Sequence, residues 1–106
     1  MINAKIVRAA DGKIIGFTVE NHGESTVCAA VSMLVLNTVN SIYKFTKDKF
    51  TCDYNEKEGG FITFSLTNPD AQTDGIRLLL DAMHLGLTSA KAEYPNEIEL
   101  KEEIHD

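Results

Sequence analysis

The chain has 106 residues, and its hydrophobic content of 43% is enough for the core of one domain without disulfides or metals. Ten basic residues against sixteen acidic ones give a net charge of −6, which disfavours direct binding to the phosphate backbone of nucleic acids. Two cysteines do not make a disulfide framework, and nothing resembles a secretion signal at Met1. We therefore expect one domain over residues 1–106 of a reduced, cytoplasmic protein.

The chain opens with the pattern of a β-hairpin. Residues 2–9 and 13–20 are short β-prone runs, and Asp11-Gly12 between them is a strong turn signal. We expect these two strands to pair antiparallel.

A helix is predicted next, running to about Tyr43. Ser25 or Thr26 can cap it, because a hydroxyl there accepts a hydrogen bond from an amide of the first turn. Residues 25–43 carry no charge, which raises the question of a membrane span. The segment includes the polar residues Ser32, Asn37, Thr38, Asn40 and Ser41. They favour a buried or interface helix of a soluble protein over a membrane helix.

A second pair of strands follows the helix. Residues 49–55 and 61–67 are β-prone, and Gly59 and Gly60 in the segment between them permit positive φ in a turn. The Asn68-Pro69-Asp70 sequence then ends the second of these strands.

The last part of the chain predicts a second helix and a possible final strand. Apolar residues recur at helical spacing up to Tyr94-Pro95, namely Ile76, Leu79, Leu80, Met83, Leu87 and Ala90. In residues 97–104, Ile98, Leu100 and Ile104 alternate with charged residues, which is typical of an edge strand or a tail. The expected fold is α+β, with two helices packed on a four- to five-stranded sheet in the order ββαββα and a possible final strand.

His22 and Cys28 are the candidate reactive groups. With Ser25 as the N-cap, Cys28 lies in the first helical turn, where free amides and the helix dipole favour a thiolate. His22 lies just before this helix, and the short segment between the two residues allows the imidazole to reach the sulfur. Such a dyad would attack a carbonyl, with backbone amides at residues 27–29 as donors to the oxyanion. From these residues alone, a buried core cysteine is the alternative.

Ser32 lies one helical turn after Cys28 on the same face. Its hydroxyl could tune the thiolate or bind substrate, or it could bond back to its own helix. The patterns around the remaining cysteine and histidines give little indication of a catalytic role. Cys52 has the pattern of a packed or half-exposed strand thiol, His84 flanks an apolar stripe, and His105 belongs to a charged tail that we expect to be disordered. No pattern for a metal or cofactor site occurs, so we expect none.

The sequence "HGESTVCAAVS", together with Val39-Asn40 and the ending "YPNEIEL", resembles the ribosomal-processing cysteine protease family, Prp. This resemblance covers the whole chain. It implies a small cytoplasmic homodimeric bacterial protease that removes an N-terminal extension from a large-subunit ribosomal protein. By motif, Cys28 matches the family nucleophile, His22 its base, and Ser32 the serine four positions after the cysteine. A basic ribosomal protein precursor is also a suitable partner for an acidic enzyme.

The chain departs from the family pattern near the site. Asn21 stands where the family usually has glycine, Ser25 stands where it has aspartate, and the segment between histidine and cysteine is about six residues shorter. Ser25 is therefore expected to support the site in place of a carboxylate. Two alternatives stay open, a non-catalytic peptide-binding homologue and a protease of the same fold that acts on a non-ribosomal peptide.

Overall fold

The computed structural model describes residues 1–20, 26–55 and 60–105 of the chain. In this part of the chain, strands and long helices follow one another in the order ββαββαβ. The strands are β1 (Ile2–Ala9), β2 (Ile14–Glu20), β3 (Phe50–Asn55), β4 (Phe61–Leu66) and β5 (Ile98–His105), and the helices are α1 (Thr26–Phe45) and α2 (Asp74–Glu93). The predicted α+β class, the element order and the final strand are confirmed.

The turn between β1 and β2 has the geometry that its sequence predicts. Ala9 N donates to Lys13 O over 2.8 Å, and Lys13 N donates to Asp11 Oδ1 over 3.0 Å. Gly12 has φ of +91°, a conformation that a residue with a Cβ rarely adopts. The two strands pair antiparallel, with a register shift between Val7 and Arg8.

The sheet has the spatial order β3-β4-β2-β1-β5, so β3 and β5 are its edges. Strand β5 pairs parallel to β1, and the other neighbours pair antiparallel. The predicted alternation in β5 stops early, because Ile98 is buried and Leu100 half-buried but Ile104 is 67% exposed. His105 lies in β5 and pairs with Ala9, so the expectation of a disordered tail at this residue is wrong.

One face of the sheet carries the helices and the core. Phe17 of β2 and Phe64 of β4 are buried there with their rings stacked, the centroids 4.9 Å apart. Apolar residues of both helices pack against them, including Val31, Val35, Ile42, Ile76, Leu80, Met83 and Leu87. The opposite face carries polar residues, among them Thr18 and Thr63, whose hydroxyls lie 3.2 Å apart.

Helix α1 is long and apolar enough to cross a membrane by length and composition alone. In this fold its buried side holds Val31, Val35 and Ile42 in the core, and the Thr38 hydroxyl donates to Leu34 O over 2.8 Å. These contacts are typical of the core helix of a globular protein. Such a helix can be as long and as apolar as a membrane-spanning one.

Gly16 lies where β2 approaches β4 most closely. A Cβ at this position would be 2.8 Å from Phe64 O, a backbone atom that cannot move away without disturbing the ladder. We expect Gly16→Ala to lower the free energy of unfolding by about 1–3 kcal/mol, as overpacking of a core does. Urea unfolding followed by circular dichroism measures the change.

Gly75→Ala is the matched control, because a Cβ there meets no atom closer than 3.5 Å and the residue is helical. We expect it to leave stability unchanged or to raise it by up to about 1 kcal/mol. Equal stability of the Gly16→Ala and native proteins would contradict the close approach of β2 and β4.

Candidate active site

Cys28 lies in the first turn of α1, as the sequence predicts, because the helix begins at Thr26. The residue is 6% exposed and belongs to the core cluster at the edge where that helix starts. The prediction of a packed cysteine and the prediction of a helix N-terminal cysteine are therefore both met by its position.

No acidic side chain in the first turn of α1 neutralises the partial positive charge at the start of this helix. The first turn contains no acidic residue, and the first four amides of a helix have no intrahelical carbonyl to bond. Backbone amides at this end of the helix can therefore donate hydrogen bonds to an oxyanion that develops beside Cys28.

Several strand ends lie at the end of the sheet that leads into α1. Strand β2 ends at Glu20, which pairs with Asn3 of β1 and with Phe61 of β4. Asn55, the last residue of β3, pairs with Phe61 as well.

His22 and Ser25 lie outside the described residues. The predicted approach of the His22 imidazole to the Cys28 sulfur and the predicted support from Ser25 therefore stay predictions. Ser32 is described and is half-buried, one turn beyond Cys28 in the same continuous helix. This spacing brings the two side chains to neighbouring positions along one side of α1.

The second cysteine, Cys52, is half-buried in the edge strand β3. Burial raises the pKa of its thiol, and the negative charge of Asp53 raises that pKa further. Since a raised pKa leaves less thiolate at neutral pH, Cys52 should react slowly there.

We expect iodoacetamide to alkylate Cys52 at pH 7 several-fold more slowly in the folded protein than in the urea-unfolded chain. The rate should rise about tenfold per pH unit until the pKa is passed. Peptide mapping by mass spectrometry after timed quenching gives this rate. Equal rates in the folded and unfolded chains at pH 7 would contradict the raised pKa.

The other two histidines lie close to glutamates of the edge strand β5. His84 Nε2 of α2 lies 3.5 Å from Glu102 Oε1, and His105 Nε2 lies 3.3 Å from Glu103 Oε2. The pKa of Glu102 lies below its usual value, chiefly because Arg8 Nε donates a 2.7 Å hydrogen bond to it. The contacts of His84 fit the boundary role that its position on the sequence predicts.

A shallow polar depression of about 510 Å³ lies on the sheet, and sequence reasoning missed it. Its lining includes Asn3, Lys5, Thr18, Glu20, Glu99 and Lys101. These residues are far apart in sequence, and only the register of β1, β2 and β5 brings them together. Across residues 1–20, 26–55 and 60–105, no three His, Cys, Asp or Glu side chains are placed to share a metal ion.

Comparison with known proteins shows which family this chain resembles. The sequence profile of a family described as "Cysteine protease Prp" matches residues 1–99. The ribosomal processing cysteine protease Prp of Staphylococcus aureus is 26% identical over 94% of this chain and 97% of its own length.

Two crystal structures have the same fold over nearly the whole chain. SMU.848 from Streptococcus mutans has a TM-score of 0.87 and 26% identity, and the match covers 99% of both chains. The essential ribosomal processing protease Prp from S. aureus, in complex with a covalently linked product peptide, has a TM-score of 0.86 and 25% identity. That match covers 97% of this chain and 100% of the other.

Proposed function

This chain belongs to the cysteine protease Prp family, and we propose that it removes the N-terminal extension of a large-subunit ribosomal protein, with Cys28 as nucleophile and His22 as general base and acid. One observation carries the assignment of Cys28: it lies in the first turn of a helix that has no acidic residue there. Residues 1–99, which the family profile matches, include both members of the proposed dyad.

The chemistry follows from the two side chains and the helix terminus. His22 takes the thiol proton, and the Cys28 sulfur attacks the carbonyl carbon of the scissile peptide bond. Backbone amides at the start of α1 stabilise the oxyanion, and His22 then protonates the departing amine as the C–N bond breaks. Water, activated by His22, hydrolyses the thioester and releases the extension with a new carboxylate.

The substrate class is supported by the relatives and by charge. The S. aureus relative is named a ribosomal processing protease, and its structure holds a covalently linked product peptide, which supports covalent catalysis here. The net charge of −6 suits a basic ribosomal protein precursor, because opposite charges speed encounter. In this proposal Ser32 and Ser25 support the site, since hydroxyls there can hold substrate or orient the dyad.

The family resemblance also supports two properties of the working enzyme. We propose that the chain is a homodimer and that it acts in the bacterial cytoplasm, where ribosomal proteins are made and assembled. Cleavage by the proposed Cys28 and His22 dyad needs no metal or cofactor, because the cysteine sulfur supplies the nucleophile.

The test is direct cleavage of the host's own substrate. Purified protein is incubated with a peptide that spans the N-terminal extension of the host's ribosomal protein and the first residues of its mature form, and the products are read by mass spectrometry. We expect one cut, at the junction between extension and mature protein. Cleavage of unrelated peptides alone would move the function to a non-ribosomal substrate.

A non-catalytic peptide-binding homologue is the second candidate. It is favoured by Asn21 and Ser25, which replace the family glycine and aspartate, and by the 6% exposure of Cys28. It predicts that the same peptide binds without being cut, which fluorescence anisotropy of a labelled peptide would detect.

A further inference from the structure

The end of α1 farthest from Cys28 carries an exposed surface of basic and aromatic residues. Tyr43 and Phe45, in the last turn of the helix, are 80% and 72% exposed. Lys44 lies between them, and Lys47 and Lys49 follow on the connection to β3. All three lysines are exposed as well. These five residues, here called the distal patch, are therefore available to a ligand.

The three lysines of the distal patch are unpaired. Among the residues that the structure describes, no carboxylate lies within ion-pair distance of any of them. By contrast, Lys5, Lys13 and Lys101 lie 3.9, 3.6 and 3.2 Å from carboxylate oxygens. An unpaired lysine that meets a phosphate releases counterions from the nucleic acid, which favours binding.

Hydrogen bonds hold the connection between α1 and β3 in place. The Thr46 hydroxyl donates to Ile42 O over 2.8 Å, and Asp48 N donates to Thr46 Oγ1 over 3.3 Å. The Asp48 carboxylate accepts hydrogen bonds from the amide and the hydroxyl of Thr73, which caps α2. The patch lysines thus start from an ordered backbone, so a ligand orders little more than their side chains.

A depression of about 260 Å³ borders the distal patch. It is lined by Lys47, Asp48, Lys49, Asn68, Ala71 and Thr73. On the α2 side, Asp70 and Asp74 are exposed and would repel a phosphate. A phosphate backbone is therefore expected to follow the lysines at the end of α1 and the start of β3.

We infer that the distal patch binds single-stranded RNA. Lysines that contact phosphates and aromatic rings on which bases stack are the two elements of such binding. Tyr43 and Phe45 are two positions apart on a helix, so their side chains point about 200° apart. A single strand can bend around the helix end and stack a base on each ring. A lipid bilayer is flat and would meet only one of the two rings, which makes RNA the better occupant.

The net charge of the chain confines this binding to one surface. Sixteen acidic residues against ten basic ones repel RNA from most of the molecule, whereas residues 43–49 carry three lysines against Asp48 alone. Cys28 lies in the first turn of α1 and Phe45 ends it, so the two are about 25 Å apart along the helix axis. Bound RNA would leave the start of α1 open. The inference goes beyond the proposed protease function and does not depend on it.

The test is the fluorescence anisotropy of a labelled single-stranded RNA of mixed sequence, about 12 nucleotides long. We expect the native protein to bind it with a Kd of about 10⁻⁵ M at low salt. Because three lysines contact phosphates, the logarithm of affinity should fall with the logarithm of salt concentration with a slope of about −2. The Kd should therefore rise about tenfold when the salt concentration is tripled.

Two triple variants test the place of binding. The patch variant (Lys44→Gln, Lys47→Gln, Lys49→Gln) should raise the Kd about tenfold or more at low salt. The matched control changes three lysines that already have carboxylate neighbours (Lys5→Gln, Lys13→Gln, Lys101→Gln), and it should keep a near-native Kd. Equal weakening in both variants would show that only total charge matters and would overturn the inference.

Single variants test the stacking of bases. Tyr43→Ala and Phe45→Ala should each raise the Kd about fivefold or more, with an unchanged circular dichroism spectrum. Tyr94→Ala is their control, because Tyr94 is also exposed, at 43%, but follows α2 at the other end of the molecule. A native protein that does not bind the RNA at low salt would overturn the inference. So would binding to phosphatidylglycerol vesicles in place of the RNA, which would make the patch a membrane contact.

Discussion

Cys28→Ala is expected to lower kcat/KM for the ribosomal extension peptide by about 10³-fold or more, because in the proposed mechanism the acyl intermediate forms on the Cys28 sulfur. Residual turnover would come only from binding and from the helix amides. The measurement is a progress curve with a peptide that carries a fluorophore and a quencher on either side of the junction. Cys28 is also buried, so the variant should lose about 1 kcal/mol of unfolding free energy, too little to unfold the chain.

Cys52→Ala provides the matched control for loss of a thiol. Cys52 lies on the edge strand β3, in the half-buried position whose burial raises its pKa, and we expect its replacement to leave cleavage unchanged. If Cys52→Ala abolished cleavage and Cys28→Ala preserved it, the nucleophile would be Cys52.

His22→Ala is expected to lower kcat about 10²- to 10⁴-fold, the range that a positioned general base contributes. Without the imidazole, the thiol proton has no acceptor and the leaving amine has no donor. The pH profile of kcat/KM separates this role from a structural one, because removal of the base should also abolish the acidic limb of the profile. Stopped assays between pH 5 and pH 9 with native and variant protein provide both numbers.

The two other histidines serve as controls for that substitution. His84 and His105 contact glutamates of β5, so His84→Ala and His105→Ala should retain near-native kcat and the native pH profile. Full activity of His22→Ala with an unchanged acidic limb would exclude His22 as the base.

The local elements of the fold could be predicted because their signals are local. Asp11-Gly12 predicts the first hairpin, and Gly12 has the positive φ that such a turn requires. Apolar spacing predicts α2, which begins at Asp74 after the Thr73 cap. The class and the element order followed from these signals alone.

Long-range pairing could not be predicted, because it depends on residues far apart in sequence. The parallel pairing of β5 with β1 places Ile104 beside Arg8 at the exposed end of an edge, so its apolar side chain stays in solvent. The buried side of α2, with Ile76, Leu80, Met83 and Leu87, is by contrast the one that helical spacing predicts, because that signal is local.

The candidate site could be predicted in part. The position of Cys28 in the first turn depends only on where the helix begins, and the observed start at Thr26 agrees with the capping signal. The resemblance to the Prp family, which the family profile supports over residues 1–99, came from the motif around that cysteine. The approach of the His22 imidazole to the Cys28 sulfur depends on the conformation of the short connection between the two residues. The sequence spacing permits this approach but does not determine it.

Covalent labelling by a substrate-derived chloromethyl ketone tests the proposed nucleophile most directly. The reagent carries the residues on the N-terminal side of the cut, and the reactive sulfur displaces chloride to form a stable thioether. Peptide mapping by mass spectrometry should find one adduct per chain, on Cys28, with cleavage lost in proportion to labelling and protection by uncut peptide. An adduct on Cys52, or full cleavage activity in protein labelled at Cys28, would contradict the assignment of Cys28 as the nucleophile.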